Sequence, residues 1–315
     1  VAKYLVTGGC GFIGSHLADY LVKQGCEVSI LDDLSTGKKE NAPKAAELVI
    51  GSITDPEAVR RALVGVHGVF HLAAVASVQK SFDHWQAVHE INCGGTVQLF
   101  EALAKLPKKI PIIYASSSGV YGSSPLIPAS EETPVSPLSP YGIDKLSGEW
   151  HAKVLWNVYR VPSISLRLFN VYGPRQDPSS PYSGVISIFS KRVSKNLPLT
   201  IYGDGEQVRD FIYVKDVARA MAKAMRAPME GAKIYNLCTG NGTSINFLAD
   251  MIGKISSMPI IKEYAPEREG EVRISIGDPS RARTALEFNP RYSLEDGLNE
   301  LTHELYSEEL RTACV

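Results

Sequence analysis

The chain has 315 residues, with 33 Lys plus Arg against 34 Asp plus Glu and a net charge of −1 at pH 7. So even a balance disfavours nucleic-acid and membrane-surface partners, which need a large basic excess. The 26 Gly and 19 Pro follow no period, which excludes collagen, and no apolar run reaches the roughly 20 residues that cross a bilayer.

The opening VAKYLVTGG enters a strand at once, so no signal peptide is expected and a reducing cytoplasm is the expected setting. Apolar runs then predict strands over Lys3–Thr7, Glu27–Asp32, Leu48–Gly51, Gly68–Leu72, Ile110–Ala115 and Ser163–Arg167. They are rich in Val, Ile and Leu without strict alternation, as strands covered on both faces should be. Helices are predicted over Gly14–Gln24, Pro56–Val64, Trp85–Lys105 and Pro140–Tyr159. Strand–helix alternation at this spacing reads as an α/β fold, a Rossmann-like doubly wound parallel sheet. The rhythm breaks after Asn170, where VYGPRQDPSSPYSG (171–184) is turn-rich and 256–273 is a second irregular stretch. The expected division is a cofactor domain from 1–170 with 201–225, and a smaller mixed α/β lobe from 171–200 with 226–315. Cys10, Cys26, Cys93, Cys238 and Cys314 are scattered without a CxxC pair, so neither a disulfide framework nor a metal site is expected.

Gly8-x-x-Gly11-x-x-Gly14 follows the first strand and opens the first helix. Gly8 suits the tight turn, Gly11 allows backbone to approach a pyrophosphate, and Gly14 allows helix to pack closely on sheet. Asp32 closes the second strand, where a carboxylate accepts from both ribose hydroxyls and repels a 2′-phosphate, so NAD is expected over NADP. Asp33 is the neighbouring alternative, or a solvated turn carboxylate. Tyr141 and Lys145 stand four apart on a predicted helix, which puts ammonium and phenol on one face. A cation beside a phenol favours phenolate and makes it a usable base. Ser116, Ser117 and Ser118 follow the apolar run 110–115, at the strand end where open α/β sheets place their chemistry.

With TGGCGFIGSHL at 7–17, HLAA at 71–74, EINCGGT at 90–96, SSSGVYG at 116–122, YGIDK at 141–145, RLFNVYGPRQ at 167–176 and YGDGEQVRDFIYVKDV at 202–217, the chain resembles the extended short-chain dehydrogenase/reductase superfamily. Within it the resemblance is to the nucleotide-sugar 4-epimerases. The related dehydratases carry Thr-Asp-Glu where this chain has Ser117, Ser118 and Gly119, and the related decarboxylases carry a glutamate at the place of Gly119. Neither acid is here, which leaves chemistry that needs only Tyr, Lys and Ser.

The resemblance implies tightly held, recycled NAD against Gly8, Gly11, Phe12, Ile13, Gly14, Asp32, Ser52, Ile53, Leu72, Ala73, Ala74, Asn92, Tyr141 and Lys145. It makes Tyr141 the base, Lys145 its cationic neighbour, Ser117 the partner of the C4 oxygen and Ser118 an auxiliary. Asn170, Arg209 and Arg268 would hold the diphosphate of a UDP-sugar in the smaller, nucleotide-sugar-binding lobe, with Phe211 and Tyr172 lining it. Both arginines could instead be surface residues. Ser275 would gate the pocket beside the sugar C2 substituent, with Ile274 or Ile276 there if the register slips by one. UDP-glucose and UDP-galactose are the implied substrates, with their N-acetyl forms. Donors for a uronate carboxylate, such as Arg175 or Lys80, leave a UDP-glucuronate 4-epimerase open, and a non-catalytic NAD-binding regulator on this fold is the alternative of another class. A homodimer is implied as well, through the helices near 85–105 and 140–159, although their apolar stretches read equally well as internal core.

Overall fold

The computed structural model describes residues 1–178, 184–268 and 271–313, with side chains to 305. Its strands in chain order are β1 (Lys3–Thr7), β2 (Glu27–Asp32), β3 (Glu47–Ile50), β4 (Gly68–His71), β5 (Ile112–Ser117), β6 (Ser163–Leu168), β7 (Asn170–Tyr172), β8 (Leu199–Tyr202), β9 (Val208–Tyr213), β10 (Ala232–Leu237), β11 (Gly242–Ser244), β12 (Lys262–Ala265) and β13 (Ile274–Ser275). Seven of them form one parallel sheet in the order β3-β2-β1-β4-β5-β6-β10. The order reverses beside β1, which opens the crevice where doubly wound sheets bind their ligands. One apolar core lies under each face of this sheet: helices Phe12–Lys23 and Val214–Arg226 cover one, and Pro56–Ala62, Gly95–Lys105 and Pro140–Tyr159 cover the other.

Helix Pro140–Tyr159 begins where Ser139 Oγ accepts from the Gly142 amide, with Pro140 at the first helical position. It ends at Arg160 in the left-handed conformation. The predicted helix over Trp85–Lys105 is helical throughout but not α-helical throughout. A π turn at Glu90–Gly94 separates Trp85–His89 from Gly95–Lys105, and such turns concentrate at functional positions. It carries Asn92, which is buried and clamps the loop after β4: its Oδ1 accepts from the Val75 amide at 2.7 Å, and its Nδ2 donates to the Val75 carbonyl at 3.2 Å.

The expected division of the chain needs correction in three places. β10, expected in the smaller lobe, is the edge of the main sheet, because it pairs with β6 in parallel over six residues. β8 and β9 belong instead to the lobe: β9 pairs with β11, β13 and β7, and β8 with β12. Helix Ser280–Leu286 also returns to the main core through Ala282 and Leu286. The strands of the lobe are short, and its own core is aromatic and aliphatic, with Phe189, Tyr213, Ile201 and Leu248 at its centre.

Among the described residues no cluster of His, Cys, Asp or Glu could hold a metal, and no helix is long and apolar enough to cross a membrane. Cys10 and Cys238 are buried free thiols, whereas Cys26 and Cys93 are only half-buried; Cys314 lies outside the described residues.

Candidate active site

The glycine turn is built by contact. A Cβ on Gly14 would stand 2.1 Å from the Gly8 carbonyl oxygen, so helix and turn meet too closely for any side chain. Gly8 has φ of 68°, and a Cβ there would reach 2.9 Å from the Ala73 amide nitrogen. A Cβ on Gly11 would meet only Gly8 O, at 3.3 Å, so that flank is open. Gly11 caps helix Phe12–Lys23 with no side-chain cap, and its first turn carries no acid. Phe12 and Ile13 form that turn. An uncapped N-terminus beside open backbone suits a pyrophosphate.

Asp32 ties the second strand to the same turn. Its Oδ2 accepts from the Cys10 amide and its Oδ1 from the Leu34 amide, each at 2.9 Å, while burial pushes its carboxyl up. Asp33 is exposed and caps its own turn through Ser35. The amides of Leu72 and Ala73 both donate to Thr7 Oγ1 at 3.1 Å, which holds the loop through Ala74 against the glycines. Ser52 Oγ bonds Thr54 Oγ1 at 2.8 Å at the end of β3. The Ile53 side chain points into the core, where a Cβ on Gly95 would strike it at 2.4 Å. The glycine turn, Asp32 and the Thr7-bound loop thus fit a dinucleotide.

The catalytic candidates converge at the carboxyl end of β5. This strand runs two residues beyond the predicted Ala115, so Ser117 is its last residue and Ser118 starts a short 3₁₀ turn. Ser117, whose Oγ accepts from the Gly119 amide at 3.1 Å, neighbours the Tyr141 phenol and favours its ionised form. Lys145 is buried, with Nζ donating to the Ala115 carbonyl at 2.9 Å and lying 5.7 Å from the centre of the Tyr141 ring. Burial pushes the Tyr141 phenol up and the neighbouring Ser117 opposes this. Burial pulls Lys145 down to about 8, against the favourable charge of Asp144. Desolvation therefore outweighs Ser117 in setting Tyr141 here, which differs from the simple expectation of a lowered phenol. Gly119 faces this cluster, since a Cβ there would lie 3.3 Å from Ser117 Oγ and 3.9 Å from the Tyr141 ring.

Behind the cluster is a buried group that sequence reasoning missed. Arg167 donates to Glu149 at 2.8 and 2.7 Å, and Ser116 Oγ donates to the same carboxylate at 2.6 Å. A signal was present, because Glu149 follows Lys145 by four residues on the same helical face.

The lobe supplies the other side. Asn170 Nδ2 donates to the Asp210 carbonyl at 3.0 Å. Arg209 Nη2 pairs with Glu271 at 2.9 Å, and Arg268 lies 3.8 Å over the Tyr202 ring. The Glu271 amide donates to the Arg268 carbonyl, so one turn carries Arg268 and the partner of Arg209. Ser275 pairs with Arg209 in parallel register, which puts both side chains on one face of the sheet. It also lines a small pocket with Ser118, Tyr121 and Phe169.

Phe211 lines a separate cleft of about 300 Å³ with Thr239, Thr243 and Tyr292. Tyr172 is 2% exposed and its hydroxyl donates to the Leu294 carbonyl, so it is lobe core and not a pocket wall. Arg175 is paired with Asp19 at 2.8 Å, and Lys80 is half-buried in helix Val78–Asp83. The segments 174–184 and 268–275 each run partly outside the described residues.

The NAD dependent epimerase/dehydratase family matches residues 4–238. A UDP-glucose 4-epimerase of Mycolicibacterium smegmatis is 38% identical over 308 residues, covering 94% of this chain and 96% of the relative. Among solved structures, the UDP-glucose 4-epimerase of Thermotoga maritima with UDP-glucose superposes with a TM-score of 0.93 at 39% identity, covering 98% of this chain and 99% of the other. The UDP-N-acetylglucosamine 4-epimerase of Methanobrevibacter ruminantium, in complex with UDP-N-acetylmuramic acid, has a TM-score of 0.92 at 35% identity over 98% of this chain and 99% of its own. The chain belongs to the NAD dependent epimerase/dehydratase family, in its nucleotide-sugar epimerase branch. It is an NAD-dependent enzyme.

Proposed function

We propose that the enzyme is a UDP-hexose 4-epimerase that interconverts UDP-glucose with UDP-galactose and also accepts their N-acetyl forms. The observation that carries this reading is the Ser117–Tyr141–Lys145 cluster, faced at 119 by a glycine and not a carboxylate. Elimination of water or loss of carbon dioxide would need a further acid or base there. Tyr141 takes the proton of the C4 hydroxyl while Ser117 holds that oxygen. The glycine turn and Asp32 would hold NAD, which would supply reversible hydride acceptance at C4. Lys145 keeps positive charge near the phenolate, and Tyr141 gives its proton back once the ketone has turned its other face. Asn170, Arg209 and Arg268 hold the diphosphate, which matches planar guanidinium donors to phosphate oxygens. A diphosphate would take the place of Glu271 on Arg209.

The experiment is to denature the purified protein, assay the supernatant for NAD, and identify products from each UDP-sugar. Copurified NAD with turnover and no accumulation of NADH is the expected result. Stoichiometric NADH would mark a dehydrogenase instead.

Acceptance of the N-acetyl group rests on Ser275, whose register beside Arg209 and place in the pocket with Ser118 support a gate role. A small side chain there leaves room at C2, whereas overpacking a filled site costs typically about 1–3 kcal/mol. Ser275→Tyr is expected to lose activity on UDP-N-acetylglucosamine by about 10-fold or more while sparing UDP-galactose. Equal loss on both substrates would remove Ser275 from the gate.

A homodimer is part of this reading. Ile143, Trp150, Val154 and Val158 are exposed along one stripe of helix Pro140–Tyr159, with Trp85 exposed on the helix packed beside it. An apolar stripe of this kind suits a self-complementary partner. The free thiols of Cys10, Cys26, Cys93 and Cys238 support a reducing, cytoplasmic setting.

A further inference from the structure

The residue before the active-site lysine is a carboxylate with no place in the reaction so far. Asp144 is 1% exposed, and its Oδ1 lies 2.6 Å from His89 Nδ1 on helix Trp85–His89. Its Oδ2 is buried and has no hydrogen-bond partner among the described residues. A carboxylate in such a place is costly unless charge nearby offsets its desolvation. Two basic side chains are near enough to do so. His89 holds it directly, with a ring 54% exposed to solvent, and Lys145 is the next residue on the same helix and is buried with it.

We propose that Asp144, held by His89, is a positioning residue that keeps Lys145 protonated, so that a histidine on the outer surface sets the charge of the active-site lysine.

Burial disfavours the Lys145 ammonium, and the charge of Asp144 opposes this, beside the bond to the Ala115 carbonyl. Lys145 in turn favours ionised Asp144, as does His89. The other titratable side chains facing Asp144 or Lys145 do not replace this support. Tyr114 on β5 is fully buried, with its phenol pushed well up by burial, and is neutral. His71 on β4 is pulled down to about 3 by burial, and it too is neutral. Cys93 in the π turn lies 3.5 Å from Ser147 Oγ. Tyr141 lies one turn before Lys145 on the same helix, and Glu149 lies one turn after it, paired with Arg167. Of the charged residues on the neighbouring segments, Lys80 is half-buried, and Asp83, His84 and Glu90 are exposed, where water screens them.

The sign follows from these interactions. An ionised Asp144 raises the pH at which Lys145 loses its proton. Removing that charge lowers the pH of loss. Removing His89 acts in the same direction but less, because Asp144 then ionises less readily.

The test reads Lys145 itself. The intact enzyme is labelled at the lysine ε-carbon and titrated by NMR, and the Lys145 signal is assigned from its loss in Lys145→Met. Asp144→Asn is expected to lower the Lys145 midpoint by on the order of one pH unit. His89→Ala, a change at an exposed position, is expected to lower it by less and serves if the first variant does not fold. The consequence for turnover rests on the epimerase reading: the alkaline limb of kcat/KM against pH should move acidward in both variants. A Lys145 midpoint unchanged in His89→Ala and in any folded Asp144→Asn overturns the proposal. A midpoint that moves in a protein without epimerase turnover keeps the proposal and overturns the epimerase reading.

Discussion

Tyr141→Phe is expected to lower turnover by roughly 10²–10⁴ while the protein stays folded. The substitution removes one oxygen and keeps the ring that packs near Lys145 Nζ. The phenol's neighbour Ser117 retains the Gly119 amide as a partner, so no buried group is stranded. What disappears is the group that can carry the C4 proton. Lys145 cannot substitute for it, because its Nζ is held on the Ala115 carbonyl. Steady-state rates on UDP-galactose, read with a far-ultraviolet dichroism spectrum, check both halves of the expectation. An undiminished rate would take Tyr141 out of the chemistry.

The second large effect is on stability. Glu149→Ala should destabilise the protein by about 3–5 kcal/mol, because it leaves the Arg167 guanidinium buried without its carboxylate. Arg167 and Glu149 are both almost wholly buried, and Ser116 spends its hydroxyl on the same acid. Arg167 would keep only its stacking on the Tyr121 ring, 4.7 Å away. Replacing both charges together with methionine should restore much of the loss, since a buried ion pair usually costs about as much desolvation as it returns. Urea unfolding of the single and double variants measures this. A loss below about 1 kcal/mol in the single variant would show that water reaches Arg167 and screens it.

Legibility varied with the distance over which each feature is determined. β1, β2 and helix Pro140–Tyr159 match their predicted limits residue for residue. Their signals are local: continuous apolar runs for buried parallel strands, and Ser139-Pro140 for the helix start. The π turn escaped because a single wider turn leaves no mark on the apolar spacing, and the Val75 loop that Asn92 holds lies 17 residues away in sequence. β10 was assigned to the wrong body because nothing in AKIYNL says which edge it will join. In the site, Ser117, Tyr141 and Lys145 stood out through spacing. The Arg209–Glu271 pair did not, since it joins residues 62 apart with no local pattern.

The interleaving of the two bodies limits how the enzyme can move. The chain leaves the main sheet after β6, returns for helix Val214–Arg226 and β10, leaves again for β11, and comes back at helix Ser280–Leu286 before ending on the lobe. A lobe joined by one linker could swing as a door does. This one is stitched through several seams, and any rotation must flex all of them together. Closure over a substrate is therefore restricted to small sliding of packed surfaces. No single cut in the chain can free the lobe as one piece.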